Sequence, residues 1–209
     1  MTTKYDNTES NPNFANWDIA TRALHVGQDL DGKNNARNLP IYQTTSYVFD
    51  NAEHAAARFG LSDAGPIYSR LTNPTQDALE NRIASLEGGV AAVAFASGQA
   101  AETAAILTLA GAGDHIVASP HLYGGTATLF TVTLPRLGID FTLVDNPDDP
   151  ESWKAAIQPN TKALYGETFG NPAADVLDIP AIAEVAHAAN APLIVDNTIA
   201  TAALVRALA

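Results

Sequence analysis

Cysteine is absent from the 209 residues. A disulfide framework, a thiolate nucleophile and a Cys-ligated metal are all excluded by that one fact. Basic residues are scarce as well, with 11 Lys and Arg against 23 Asp and Glu and a formal net charge of -12. Such a balance argues against nucleic acid or an anionic membrane as the main partner. An anionic ligand must then be held by local groups. No apolar run reaches the roughly 18 residues of a membrane span, and the opening M-T-T-K-Y-D-N-T-E-S-N-P-N has no signal-peptide core. These features lead us to expect a cytoplasmic location. The five His residues are scattered without HExxH or similar spacing, so no metal is expected. Apolar residues make up 46% of the chain, enough at this length to bury a substantial core.

Residues 1–65 are rich in Asn, Asp and Thr, with only short apolar pieces, and read as an extended arm containing one short helix over 52–59. The pattern changes at Asn73-Pro74-Thr75-Gln76, where a capping residue precedes Pro at the first helical position. Leu79, Ile83 and Leu86 follow at helical spacing, and Gly88-Gly89 ends the run. Beyond it, strand-like runs at 91–95, 115–118, 140–144, 162–165 and 193–195 alternate with helix-compatible stretches at 99–110, 125–137, 150–158 and 178–189. This alternation predicts an α/β domain over 66–209, with a mostly parallel sheet and helices on both faces. Ligands of such sheets gather at the carboxyl ends of the strands, which directs attention to those positions.

After the first run, Ala96-Ser97-Gly98-Gln99 is a small turn opening a helix whose free N–H groups suit an anion, although Ser97 serves equally well as a plain N-cap. No Walker loop or complete dinucleotide glycine fingerprint is present. After the second run, Tyr123 beside Gly124-Gly125 can lay its ring on a planar ligand or simply pack. Asn171 before Pro172 is a turn former that also offers an amide. Tyr68-x-Arg70 places a phenol and a guanidinium on one loop, within reach of one phosphate. Asp196 ends the apolar run Leu193-Ile194-Val195, where a carboxylate calls for a cation or several donors; capping a following helix is the plain alternative.

Amides and an Arg for a phosphate, a Tyr for a ring and an acid for a ring nitrogen together meet the needs of pyridoxal phosphate (PLP). The ordered stretches Y-S-R-L-T-N-P-T, L-E-G-G-V-A-A-V-A-F-A-S-G-Q-A-A, L-Y-G-G-T, G-E-T-F-G-N-P and V-D-N-T-I-A-T resemble the successive motifs of the Cys/Met-metabolism PLP enzymes, a fold-type I family. The segment between Phe49 and Tyr68 is similar to the branch that transfers sulfide to O-acetylhomoserine, releasing acetate and forming homocysteine. The resemblance implies that Ser97, Gly98 and Gln99 hold the cofactor phosphate. It further implies that Tyr123 stacks on the pyridine as a catalytic residue, that Asn171 lies near the ring hydroxyl, and that Asp196, in one motif with Thr198, pairs with the ring nitrogen.

Tyr68 and Arg70 would reach the phosphate of a neighbouring subunit, which implies a homo-oligomer: a dimer of shared sites, and further a tetramer. A γ-lyase or a cystathionine-forming enzyme is the close competitor within the family. A non-catalytic cofactor-binding or assembly fragment, or a nicotinamide-dependent domain, is the alternative from another class. The chain departs from the family pattern in its lysines, which are Lys4, Lys33, Lys154 and Lys162, none in the position of the Schiff-base lysine. By the resemblance it corresponds to an N-terminal portion, incomplete at its C-terminus, that does not turn over alone.

Overall fold

Four short parallel strands organise the larger part of the chain in a computed structural model that describes residues 16–28 and 36–208. Internal contacts divide the chain into two compact units, Met1–Ala94 with Leu208–Ala209, and Phe95–Ala207. The boundary expected after residue 65 lies inside the first unit.

Within that first unit, α1 (Ile19–His25) begins where the Asp18 carboxylate accepts the Thr21 N–H at 3.0 Å. Helix α2 (Ala52–Phe59) is capped by Asn51, whose side chain accepts the His54 N–H at 2.7 Å. Helix α3 (Pro74–Glu87) begins with Asn73 accepting the Thr75 N–H at 3.0 Å and Pro74 in the first turn. It ends at Gly88, whose φ of 81° is the left-handed conformation that favours glycine. Sequence patterning gave no warning of α1. Its place is fixed by α3: Arg22 Nε donates to Ser85 Oγ at 2.9 Å, and Arg82 Nε donates to the carbonyl of the buried Val26 at 2.8 Å. The stretch expected to be extended up to residue 65 thus contains a second helix that docks through long polar side chains.

The second unit runs through α4 (Gly98–Leu109), β1 (His115–Ala118), α5 (Gly124–Thr128), a π-turn over Leu129–Thr133, α6 (Leu134–Arg136) and β2 (Asp140–Leu143). It continues with α7 (Pro150–Ala156), β3 (Thr161–Glu167), α8 (Ile179–Ala188), β4 (Leu193–Asp196) and α9 (Thr201–Leu204). The sheet order is β2-β1-β3-β4, with every pair parallel. Side chains alternate across it as a two-residue period requires. Ile116, Ala118 and Tyr165 pack on one face with Ile106 of α4, Phe130 and Leu134. Val117 and Leu164 pack on the other with Trp153 of α7 and with Ile182 and Ala186 of α8. Trp153 is fully buried and keeps its indole N–H satisfied by the Pro147 carbonyl at 3.0 Å.

The run at 91–95 is a correction: it forms no strand among the described residues, and Val93 and Phe95 are 69% and 47% exposed. Alternating Ala, Val and Phe give strand propensity, yet a strand forms only where a neighbour completes the ladder.

Candidate active site

The chain leaves β1 for β2 on one side and returns to β3 on the other, so β1 and β3 form a switch point whose carboxyl ends open a crevice. A pocket of about 400 Å³ lies at this end of the sheet. Its walls come from the first turn of α4, the loop after β1, the ends of β3 and β4, and the turns that follow them.

Ser97, Gly98 and Gln99 form the first wall. The Ser97 hydroxyl accepts the Ala100 N–H at 3.1 Å, so the plain capping role is present. Among the described residues the Gly98 and Gln99 N–H groups take no hydrogen bond, and space is open around the Gly98 α-carbon. Two unused amides at the start of a helix retain the affinity for an anion that P–O⁻ groups exploit. Tyr123, half exposed, presents its ring from the loop after β1, and its N–H donates to Glu167 Oε1 at 2.6 Å. A Cβ at Gly125 would stand 2.7 Å from the Tyr123 ring and 3.1 Å from the Gln99 side chain, so a larger residue there would push one of these two side chains aside.

Asp196 and Thr198 line the pocket from the end of β4, and Asn171 and Phe169 from the turn after β3. Both the N–H of Thr198, at 2.9 Å, and its hydroxyl donate to the same Asp196 oxygen. Thr198 thereby orients the carboxylate and leaves the other oxygen for a ligand. Seven of the nine residues singled out in the sequence therefore share one pocket. Tyr68 and Arg70 lie in the first unit, where the Arg70 guanidinium sits 4.8 Å from the Tyr68 ring centre.

Two further acids, Glu102 and Glu167, line the pocket and are only 8% and 7% exposed. No second acid stands near Asp196 in sequence, but the fold supplies both. Glu167 is the register partner of Asp196 across β3 and β4. Burial pushes the Glu102 carboxyl above the ordinary carboxylate range, against hydrogen bonds from Tyr165 and Thr126 that favour its charged form. Burial raises Glu167 in the same way, with Asp196 and Glu102 adding like-charge repulsion. Among the described residues lining the pocket there is no Lys or Arg. Lys154 pairs with Glu151 on α7 and Lys162 with Asp114, while Lys4 and Lys33 lie outside the described residues.

The Glu102 signal was present in the sequence as a single charge within the apolar stretch of α4, three residues after Gln99 and hence on its face. Glu167 ends an apolar run just as Asp196 does.

Residues 20–209 match the family model described as Cys/Met metabolism PLP-dependent enzyme. The chain belongs to this family. An O-acetyl-L-homoserine sulfhydrylase of Corynebacterium glutamicum is 71% identical over 205 residues, covering 98% of this chain and 46% of that protein. A homocysteine synthase of Schizosaccharomyces pombe is 55% identical over 178 residues, covering 85% and 41%. A crystal structure from Campylobacter jejuni, assigned as an O-acetylhomoserine (thiol)-lyase with a pyridoxyl-lysine monophosphate, superposes with a TM-score of 0.88 at 42% identity, covering 92% of this chain and 47% of that one. The chain thus spans less than half the length of these relatives.

A PLP-dependent family needs a phosphate seat, a contact for a flat ring and an acid for the ring nitrogen. The open amides at Gly98 and Gln99, the exposed Tyr123 ring and the oriented Asp196 carboxylate are chemically of these three kinds, so the residues present fit the cofactor.

Proposed function

We propose that this chain forms the cofactor-binding part of a PLP-dependent transferase that joins sulfide, or a thiol, to the γ-carbon of O-acetylhomoserine, yielding homocysteine and acetate. The observation that carries it is Asp196 lining one pocket with the open Gly98 and Gln99 amides, in a chain 71% identical to an O-acetyl-L-homoserine sulfhydrylase. When bound, PLP supplies an electron sink that acidifies substrate C–H bonds and lets acetate depart. The protein supplies position and protons.

In this reading the Gly98 and Gln99 N–H groups, with the Ser97 hydroxyl, hold the phosphate. Tyr123, whose N–H is bonded to Glu167, would offer its ring to the flat face of the cofactor. Asp196 keeps the ring nitrogen protonated, because an ionised carboxylate beside a pyridine favours the cationic form. Thr198 would hold that carboxylate in place, and the Asn171 amide would serve the ring hydroxyl. Tyr68 and Arg70 serve the phosphate of a neighbouring subunit, which makes the protein a homo-oligomer, a dimer at least and a tetramer in the fuller reading. The reaction also needs a lysine that the described pocket lacks, so the reading places that residue in another part of the whole protein. A biosynthetic enzyme of this kind acts in the cytoplasm.

A product assay tests the proposal on a protein of the relatives' full length, given PLP and O-acetylhomoserine with sulfide, with cysteine, or with no acceptor. Homocysteine and acetate from the sulfide arm support it. Cystathionine from cysteine, or an oxo acid without an acceptor, would transfer the chain to a different activity within the family.

A further inference from the structure

We propose that Glu102 is a positioning residue that holds the two sides of the cofactor pocket at a fixed separation. The proposal rests on the reading that this pocket takes PLP.

Several donors converge on the buried Glu102 carboxylate. Tyr165, from β3, donates its hydroxyl to Glu102 Oε2 at 2.5 Å. Thr126, in the helix that directly follows Tyr123, donates to both oxygens at 3.1 and 3.2 Å. The Gln99 amide donates to Oε1 and also lies 3.2 Å from the Thr126 hydroxyl. One side chain on the second turn of α4 is therefore the common acceptor for three elements, β3, α5 and the first turn of α4 itself. Two of these carry groups assigned to the cofactor: Gln99 contributes its own N–H to the phosphate seat, and α5 sets the turn that presents Tyr123. The two groups lie close together, since the Tyr123 ring and the Gln99 amide both border the place where a Cβ at Gly125 would stand.

A purely stabilising role suits this residue poorly. A carboxylate withdrawn from water with no cation beside it is costly, and an apolar side chain of similar volume fills such a place at lower cost. What the carboxylate offers instead is acceptor capacity for several donors at once, which fixes their geometry. The hydrogen bonds of Glu102 all go to Gln99, Thr126 and Tyr165, and its effect on the cofactor is assigned to pass through Gln99 and Thr126.

The test is PLP titration of the full-length apo protein by absorbance, well below its melting temperature, alongside thermal melts without cofactor. Glu102→Ala is expected to bind PLP about tenfold more weakly, the scale of a lost charge-assisted hydrogen-bond set. Glu102→Gln keeps the shape but only one of the two acceptor oxygens, turning an NH2 toward one of the donors, and is expected to bind PLP with an affinity between that of Glu102→Ala and the wild type. Ile182→Val, in the core on the opposite face, is the destabilised control and is expected to keep wild-type affinity. Should Glu102→Ala fail to fold, Thr126→Val removes one donor at constant volume and is expected to weaken PLP in the same direction. Wild-type affinity in Glu102→Ala, or in Thr126→Val where that variant stands in, overturns the inference. Equal weakening in Ile182→Val also overturns it, because affinity would then track stability alone. A wild-type protein that takes up no PLP refutes the underlying function instead.

Discussion

Glu167 and Asp196 stand opposite one another in the parallel register of β3 and β4, an acid beside an acid where like charges repel. A fold tolerates this arrangement when a ligand gains from it. In the proposed site the gain falls to Asp196, which faces a ring nitrogen while Glu167 turns to the Tyr123 N–H. Asp196→Asn is expected to lower kcat of the full-length enzyme by on the order of a hundredfold, as losing one electrostatic partner of a reacting group does. Its melting temperature should hardly move, since Asp196 is only partly buried; unchanged turnover would remove Asp196 from the mechanism. The raised carboxyls set a pH dependence too. Glu102 and Glu167 bind protons more readily folded than unfolded, so their contribution to stability is complete below the ordinary carboxyl range, near 4.5, and is lost as pH rises through their elevated native values. Melting temperatures of the cofactor-free protein should therefore fall across that interval, and Glu167→Gln should flatten the fall; an unaltered slope would show that Glu167 does not titrate there. Asp196 was legible in the sequence because a charge ends an apolar run, and the same reasoning applies to Glu167 in Ala163-Leu164-Tyr165-Gly166-Glu167. Their pairing was not legible, because register between two parallel strands about 30 residues apart is set by the sheet and leaves no local mark.

The elements that announced themselves are those with both a periodic interior and chemical punctuation. Asn73-Pro74 before α3, Asp149-Pro150 before α7 and Asp178 two residues before Pro180 in α8 each join an N-cap to a proline in the first turn, and all three helices form there. The central strands at 115–118 and 161–167 carry the fully buried apolar runs of a parallel sheet, whereas those at 140–143 and 193–196 lie at its edges and are at most partly buried. The run at 91–95 has a similar apolar composition but pairs with no strand among the described residues, while α1 escaped notice because its docking on α3 is made by two arginines rather than an apolar stripe. Helix α4 shows an element serving twice. Ser97 caps it, and the two amides left over form the proposed phosphate seat. Ser97→Ala is accordingly expected to cost ~1 kcal/mol in chemical denaturation of the cofactor-free protein. It should also weaken PLP binding severalfold, since the helix start frays and a hydroxyl is lost. Loss of stability with unchanged PLP affinity would leave Ser97 as a cap alone.

At the scale of the whole molecule, the family could be read from the sequence because its motifs sit on turns and strand ends, where a particular backbone or side chain is required whatever packs behind it. Subunit arrangement leaves no such trace, and only the pair Tyr68 and Arg70 points to it. Their mutual contact at 4.8 Å offers a guanidinium with its flat face already covered and its edge left to donate, a form suited to a phosphate. If one subunit lends this pair to the site of another, damage on the two sides should be separable. Arg70→Ala and Asp196→Asn are each expected to be nearly inactive as full-length homo-oligomers. Mixed, dissociated and reassembled, they would form hybrid dimers in which one site carries both lesions and the other neither. Random pairing of the two variants then returns about a quarter of the wild-type sites, the share set by two-fold symmetry. Activity recovered to that level after reassembly, and absent when the two are mixed without dissociation, is the outcome expected of a shared site. A mixture that stays inactive although mass analysis shows hybrids would place Arg70 in the site of its own subunit.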